Sequence, residues 1–138
     1  MLVQAYLNFD GRCEEAINFY KQALGAQVDT LMRMKDCPEP PKADCTLPPA
    51  NADKVMHAAF RIGETTVMAS DCHSSGRPAF QGISLSITVR EEAQARRVFA
   101  ALSDGGQVCA PLSKTFFSPS FGVVSDRFGV SWMVVTLP

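Results

Sequence analysis

Little in this chain of 138 residues is arranged to hold a zinc ion, a nucleotide or a polyanion. Histidine occurs twice, at 57 and 73, and tryptophan once. The five cysteines, at 13, 37, 45, 72 and 109, are odd in number and form no C-x-x-C pair. That excludes a regular disulfide framework and the common zinc spacings, and it points to reduced thiols in the cytoplasm. No apolar run reaches the roughly 18–20 residues of a membrane-spanning helix, and Met1 to Asp10 lacks the basic and apolar regions of a secretory signal. Lysines and arginines are scattered, with no basic run beyond Arg96-Arg97, and the net charge is −1, so no nucleic-acid partner is expected. No G-x-G-x-x-G or Walker pattern is present, which leaves nucleotides and methyl donors without a recognisable cradle.

What the chain does have is a pattern stated twice, about 80 residues apart. Phe9, Glu14-Glu15-Ala16, Phe19 and Gly25 are echoed by Val89, Glu91-Glu92-Ala93, Phe99 and Gly105. A repeat that occurs only twice is no solenoid. It implies two small modules that pair, and a cleft between paired modules is a natural ligand site. At this length the chain forms one domain, 1–138, able to bury about two-thirds of its unfolded surface.

Each module reads βαβββ. In the first, Val3 to Phe9 alternates, with Gln4, Tyr6 and Asn8 on the polar side. A helix follows over about Cys13 to Leu24, with Ala16, Ile17, Tyr20, Ala23 and Leu24 as its stripe and Gly25 as its stop. Ala26 to Arg33 reads as a strand, and Val55 to Ile62 with Thr65 to Asp71 as a hairpin about Gly63-Glu64. Between them, Lys35 to Lys54 holds five of the nine prolines and reads as an excursion loop, either a functional lid or simply mobile. The first module spans about 1–73 and a linker about 74–82.

The second module, about 83–138, opens with Ile83 to Val89. There Ser84, Ser86 and Thr88 fall on Gln4, Tyr6 and Asn8 at the 80-residue offset. Thr88-x-x-Glu91 resembles a capping box for a helix with Ala95, Val98, Phe99 and Leu102 inward. Gln107 to Lys114, Phe121 to Ser125 and Val130 to Thr136 complete the module.

Four motifs carry a family resemblance along essentially the whole chain. They are Gly11-Arg12-Cys13-Glu14-Glu15-Ala16 running into Phe19-Tyr20 and Leu24-Gly25; Met56-His57-Ala58 with Ser70-Asp71; Thr115-Phe116-Phe117 before Phe121-Gly122; and Asp126-Arg127-Phe128-Gly129-Val130 before Trp132-Met133. With the paired modules, they resemble the PhnB-like family of the glyoxalase, bleomycin resistance and dioxygenase (vicinal oxygen chelate) superfamily. Phe117 departs from a tryptophan common in relatives. The resemblance implies an α+β fold of two βαβββ modules, a cavity between curved sheets, and a homodimer.

It also implies where a divalent metal would be held, on one side chain from the first and one from the last strand of each module. Those positions fall on Gln4, Val67 (with Met68 beside it), Ser84 and Met133. Gln4 is acceptable as an amide ligand, but none of the four is a carboxylate or imidazole and the other three do not replace one, so the expected metal set is missing. The expected pocket is therefore an organic one, lined by Gln4, Tyr6, Asn8, Ser84, Ser86, Phe116, Phe117, Phe121, Trp132 and Met133, binding a small molecule with no cofactor. The alternative is a lyase, isomerase or dioxygenase with a rearranged metal site anchored by His57 and Gln4, with Asp71 as a further donor. His57 is the candidate catalytic base; it also suits a plain hydrogen bond within the sheet. Phe116, Phe117, Phe121 and Trp132 suit either pocket or packing. Cys72-His73 suits a linker, and Cys37 and Cys45 a metal or redox pair in the loop.

Overall fold

A computed structural model describes residues 1–36, 52–71 and 79–138. The chain divides into two units, Met1–Pro78 and Ala79–Pro138. The first unit runs β1 (Tyr6–Asn8), α1 (Cys13–Leu24), β2 (Gln27–Arg33), β3 (Val55–Ile62) and β4 (Thr65–Ser70), with a 3₁₀ turn at Met34–Asp36. The second runs β5 (Leu85–Val89), α2 (Glu92–Ser103), β6 (Gln107–Ser113), β7 (Phe121–Ser125) and β8 (Ser131–Thr136). Each is βαβββ, and each builds a four-stranded mixed sheet, in the order β1-β4-β3-β2 and β5-β8-β7-β6. The first strand of each lies parallel to the last, and the other pairs are antiparallel.

Period-two alternation gives every sheet a helix-covered face and an open one. In the first unit, Leu7, Ala58, Phe60, Val67 and Ala69 are buried with Cys13, Ala16, Ile17 and Tyr20 of α1. The Tyr20 ring stacks on Phe60 with centroids 6.0 Å apart. In the second, Val89, Val124, Trp132 and Val134 are buried with Ala95, Val98, Phe99 and Leu102 of α2. Among the described residues, no helix is long and apolar enough to cross a membrane.

Helix α1 follows its stripe from Cys13 to Leu24 and ends at Gly25, whose φ of 67° is the left-handed stop. Its N-cap residue, Arg12, supplies no side-chain hydrogen bond. The buried Asp71 carboxylate does so instead, accepting the Cys13 N–H at 2.8 Å and the Val55 N–H at 2.8 Å. One acid thus ties the helix start to the first residue of β3. In the second unit the buried Asp126 accepts the Phe128 and Val130 N–H groups at 2.9 and 3.0 Å and the Trp132 indole N–H at 2.8 Å.

Three local expectations change. The first strand covers Tyr6–Asn8 rather than Val3 to Phe9: the last upstream bond comes from Met68 N–H to the Ala5 carbonyl, and Val3 is exposed, not inward. Its counterpart starts at Leu85 rather than Ile83. Thr88 does not cap α2, because the ladder of β5 with β8 holds it opposite Val135, and Glu91 becomes the N-cap. Most of the Lys35–Lys54 loop, with Cys37 and Cys45, and the linker pair Cys72-His73 lie outside the described residues.

Candidate functional site

The open face of the first sheet collects the unit's polar side chains. Pairing sets Tyr6 beside Met68, and Met68 opposite Ala59. One row on, Asn8 lies beside Ser70, and the register of β3 with β4 brings His57 abreast of Ser70. Across these strands the Tyr6 hydroxyl lies 3.0 Å from His57 Nδ1, a hydrogen-bonding distance, and the two rings approach to 5.7 Å. Ser70 donates its hydroxyl to Asn8 Oδ1 at 3.0 Å. The Asn8 amide nitrogen and His57 Nε2 therefore keep their hydrogen-bonding capacity among the described residues. Tyr6 is 44% exposed, so the pair is reachable from solvent.

Farther along this face, Arg61 donates to the Asp29 carboxylate at 3.0 Å and to Gln27 Oε1 at 3.1 Å. Its charge is matched, so the face carries no unpaired cation among its described residues. Gln4 lies half-buried just before β1.

The second sheet's open face is made differently. Ser86, Met133 and Val123 lie abreast. Ser84 shares a 2.7 Å hydroxyl–hydroxyl hydrogen bond with Ser131. Phe121 packs edge-on against Phe117 with centroids 5.1 Å apart, and Phe117 against Phe116 likewise at 5.1 Å. Phe116 is fully exposed. Trp132, expected with the pocket residues, sits elsewhere: it pairs with Leu85 and Val124 and is buried beneath α2, on the face opposite Met133. A tryptophan between two open-face neighbours on a strand must point the other way.

The superfamily's metal positions can be tested for fit within each unit. In the first, Val67 is buried opposite Phe60 on the helix side and offers no donor. Met68 reaches the open face with only a thioether, and Gln4 adds only a single amide. In the second, the Ser84 hydroxyl is engaged by Ser131 and Met133 again offers a thioether. Hard oxygen donors for a divalent cation are not assembled, so this residue set does not fit one. Among the described residues no group of three or more His, Cys, Asp or Glu gathers anywhere. Asp71, considered as a further ligand, is buried with both oxygens taken by backbone N–H groups. Cys13 is equally withdrawn: burial, reinforced by the Asp71 and Glu14 charges, pushes its thiol pKa far up.

Sequence reasoning placed Tyr6 and Asn8 in the pocket and His57 as the base, but named Met68 only beside a metal position and Ser70 only within a family motif. Their signal was available in the alternation of Thr66, Met68 and Ser70, which places all three on the polar face of β4.

Comparison with known proteins agrees with this architecture. The family model described as 3-demethylubiquinone-9 3-methyltransferase matches residues 2–135. The chain belongs to that family. Protein YjdN from Escherichia coli strain K12 is a relative, 29% identical over 97% of this chain and 94% of its own. Family relatives of known structure include protein PA1353 from Pseudomonas aeruginosa, 39% identical with a TM-score of 0.85, covering 99% of this chain and 98% of that one. The PhnB protein from Bacillus cereus is 28% identical with a TM-score of 0.79, covering 99% of each chain. The family's fold extends, at 12% identity and a TM-score of 0.69, to a glyoxalase/bleomycin resistance protein/dioxygenase domain from Frankia, with 100% of this chain and 98% of that one covered. This is a PhnB-like protein of glyoxalase fold.

Proposed function

We propose that this protein binds a small organic molecule on the open face of its first sheet, without the four-ligand metal of related enzymes. The observation that carries the reading is the Tyr6–His57 hydrogen bond at 3.0 Å, set beside an Asn8 amide that Ser70 holds in place. Hydrogen-bonding groups fixed by partners on neighbouring strands lose little freedom when a ligand arrives, which favours binding. Met68 and Ala59 between them supply an apolar floor. The methyl transfer in the family's description is not adopted, because no residue pattern here supports a methyl-donor site. The protein is further proposed to work as a homodimer, which sedimentation would show as twice the monomer mass of 15.0 kDa.

Native mass spectrometry of untagged protein, as purified and after exposure to a metabolite library, tests the binding proposal. A bound organic mass that disappears in Asn8→Ala and Tyr6→Phe is the expected result. Stoichiometric Ni, Zn, Mn or Fe that is lost in His57→Ala would overturn it in favour of a rearranged metal site. A ligand retained by both variants would place binding elsewhere.

A further inference from the structure

We infer that Tyr6 and His57 form a proton-transfer pair acting on uncharged, enolisable carbonyl compounds; this rests on the reading that the first sheet's open face is the ligand face. Three observations converge. The imidazole is held through Nδ1 by Tyr6, which leaves Nε2 without a protein partner among the described residues. The Asn8 amide, fixed through its oxygen by Ser70, presents N–H donors one row from Tyr6 on the same strand. The nearby acids are committed: Asp71 to two backbone N–H groups and Asp29 to Arg61. An imidazole with a free nitrogen, an amide donor for an oxygen and, among the described residues, no uncommitted carboxylate beside it is an acid–base arrangement that requires no metal.

The chemistry balances without any co-reactant. In the tautomer with hydrogen on Nδ1, that N–H donates to the Tyr6 oxygen, which holds the ring with Nε2 as the base. Nε2 removes a proton from the carbon next to a ligand carbonyl. The C–H electron pair becomes the C=C bond of an enolate, and the carbonyl π pair moves to its oxygen, which accepts an Asn8 N–H. The imidazolium exchanges its Nε2 proton with solvent and returns one to the same carbon, so the carbonyl re-forms and the pair ends as it began.

The ligand class follows from what surrounds the pair. Arg61 is matched by Asp29, so among the described residues of this face no cation is free to hold a carboxylate or phosphate. Met68 and Tyr6, abreast on neighbouring strands, offer a thioether and a ring to an aryl or alkyl group flanking the carbonyl.

The test uses phenylacetaldehyde, an uncharged aryl carbonyl compound, in deuterated buffer. Proton NMR follows loss of the hydrogens next to the carbonyl, and saturation-transfer NMR measures binding separately. The native protein should exchange these hydrogens roughly 10²-fold faster than His57→Ala. Tyr6→Phe should bind more weakly and, compared at saturating ligand, exchange about tenfold more slowly, and nitrogen NMR should show its His57 tautomer balance altered. His57→Asn, with an unchanged circular dichroism melt, guards against loss of fold. Binding with equal exchange in the native protein and His57→Ala overturns the proton-transfer role and leaves the binding proposal standing. Neither binding nor exchange overturns the ligand class too, while the mass-spectrometric experiment decides the binding proposal independently.

Discussion

Two buried aspartates show how single residues hold each unit. Asp71 stands in for a helix cap from 58 positions away, and Asp126 gathers a turn and the indole of the one tryptophan. Asp71→Asn keeps the shape but turns a donor toward a backbone N–H. It should destabilise the protein by about 2–3 kcal/mol in urea unfolding, because a buried N–H loses its acceptor. Glu14 tests the surface end of the same helix. Its hydrogen bond from Arg33 holds the carboxyl below its ordinary pKa, so its stabilisation is complete above the unfolded carboxyl pKa and fades as the pH falls through the folded one. Thermal melts of Glu14→Gln should therefore trail the native protein at pH 7 and converge with it as the pH is lowered. The sequence showed Asp71 beside Ser70 but not its use. A strand residue's partners across 58 positions depend on which turns bring them together, and periodicity does not encode that.

At the level of elements, alternation and the 3.6-residue stripe were enough to place both helices and most of the strands. Helix α1 lies at Cys13–Leu24 because its apolar spacing and Gly25 agree. The misplaced ends share one cause. Val3 and Ile83 continue an alternating pattern, yet a strand persists only where a neighbour supplies hydrogen bonds, and these stop near Ala5 and Leu85. Trp132 was misread because aromatic side chains suit a pocket and a core equally; its strand parity beside Met133 was the better guide. Gly122 marks how closely α2 approaches its sheet: an added Cβ would lie 2.7 Å from the Phe99 ring and 3.0 Å from Leu112. Gly122→Ala should cost about 1–3 kcal/mol in the same urea measurement, since the Phe99 ring is packed within the core and must shift.

Across the whole molecule, duplication kept a scaffold and let its two open faces diverge. The first carries the imidazole, phenol and amide. The second carries hydroxyls at one end and edge-packed phenylalanines at the other. The repeat made the fold and the four inherited metal positions legible, because equivalent strands could be laid on one another by the 80-residue offset. It could not reveal the Tyr6–His57 contact, which joins strands 51 positions apart and has no counterpart at Ser86. Since the inherited positions no longer gather hard donors, exhaustive chelation should leave the melting temperature unchanged in calorimetry, and added Mn, Ni or Zn should not raise it.

The Asp71 clamp also sets a timetable for synthesis. Ribosomes release the chain from its N-terminus, so β1 and α1 emerge well before β4 and the acid that secures the helix start. A nascent chain stopped short of residue 65 holds an amphipathic helix with an unclamped end and a three-residue strand lacking its parallel neighbour. The first unit must therefore wait, with its apolar stripe uncovered, until its last strand clears the exit tunnel. That window is when the growing chain most needs shielding.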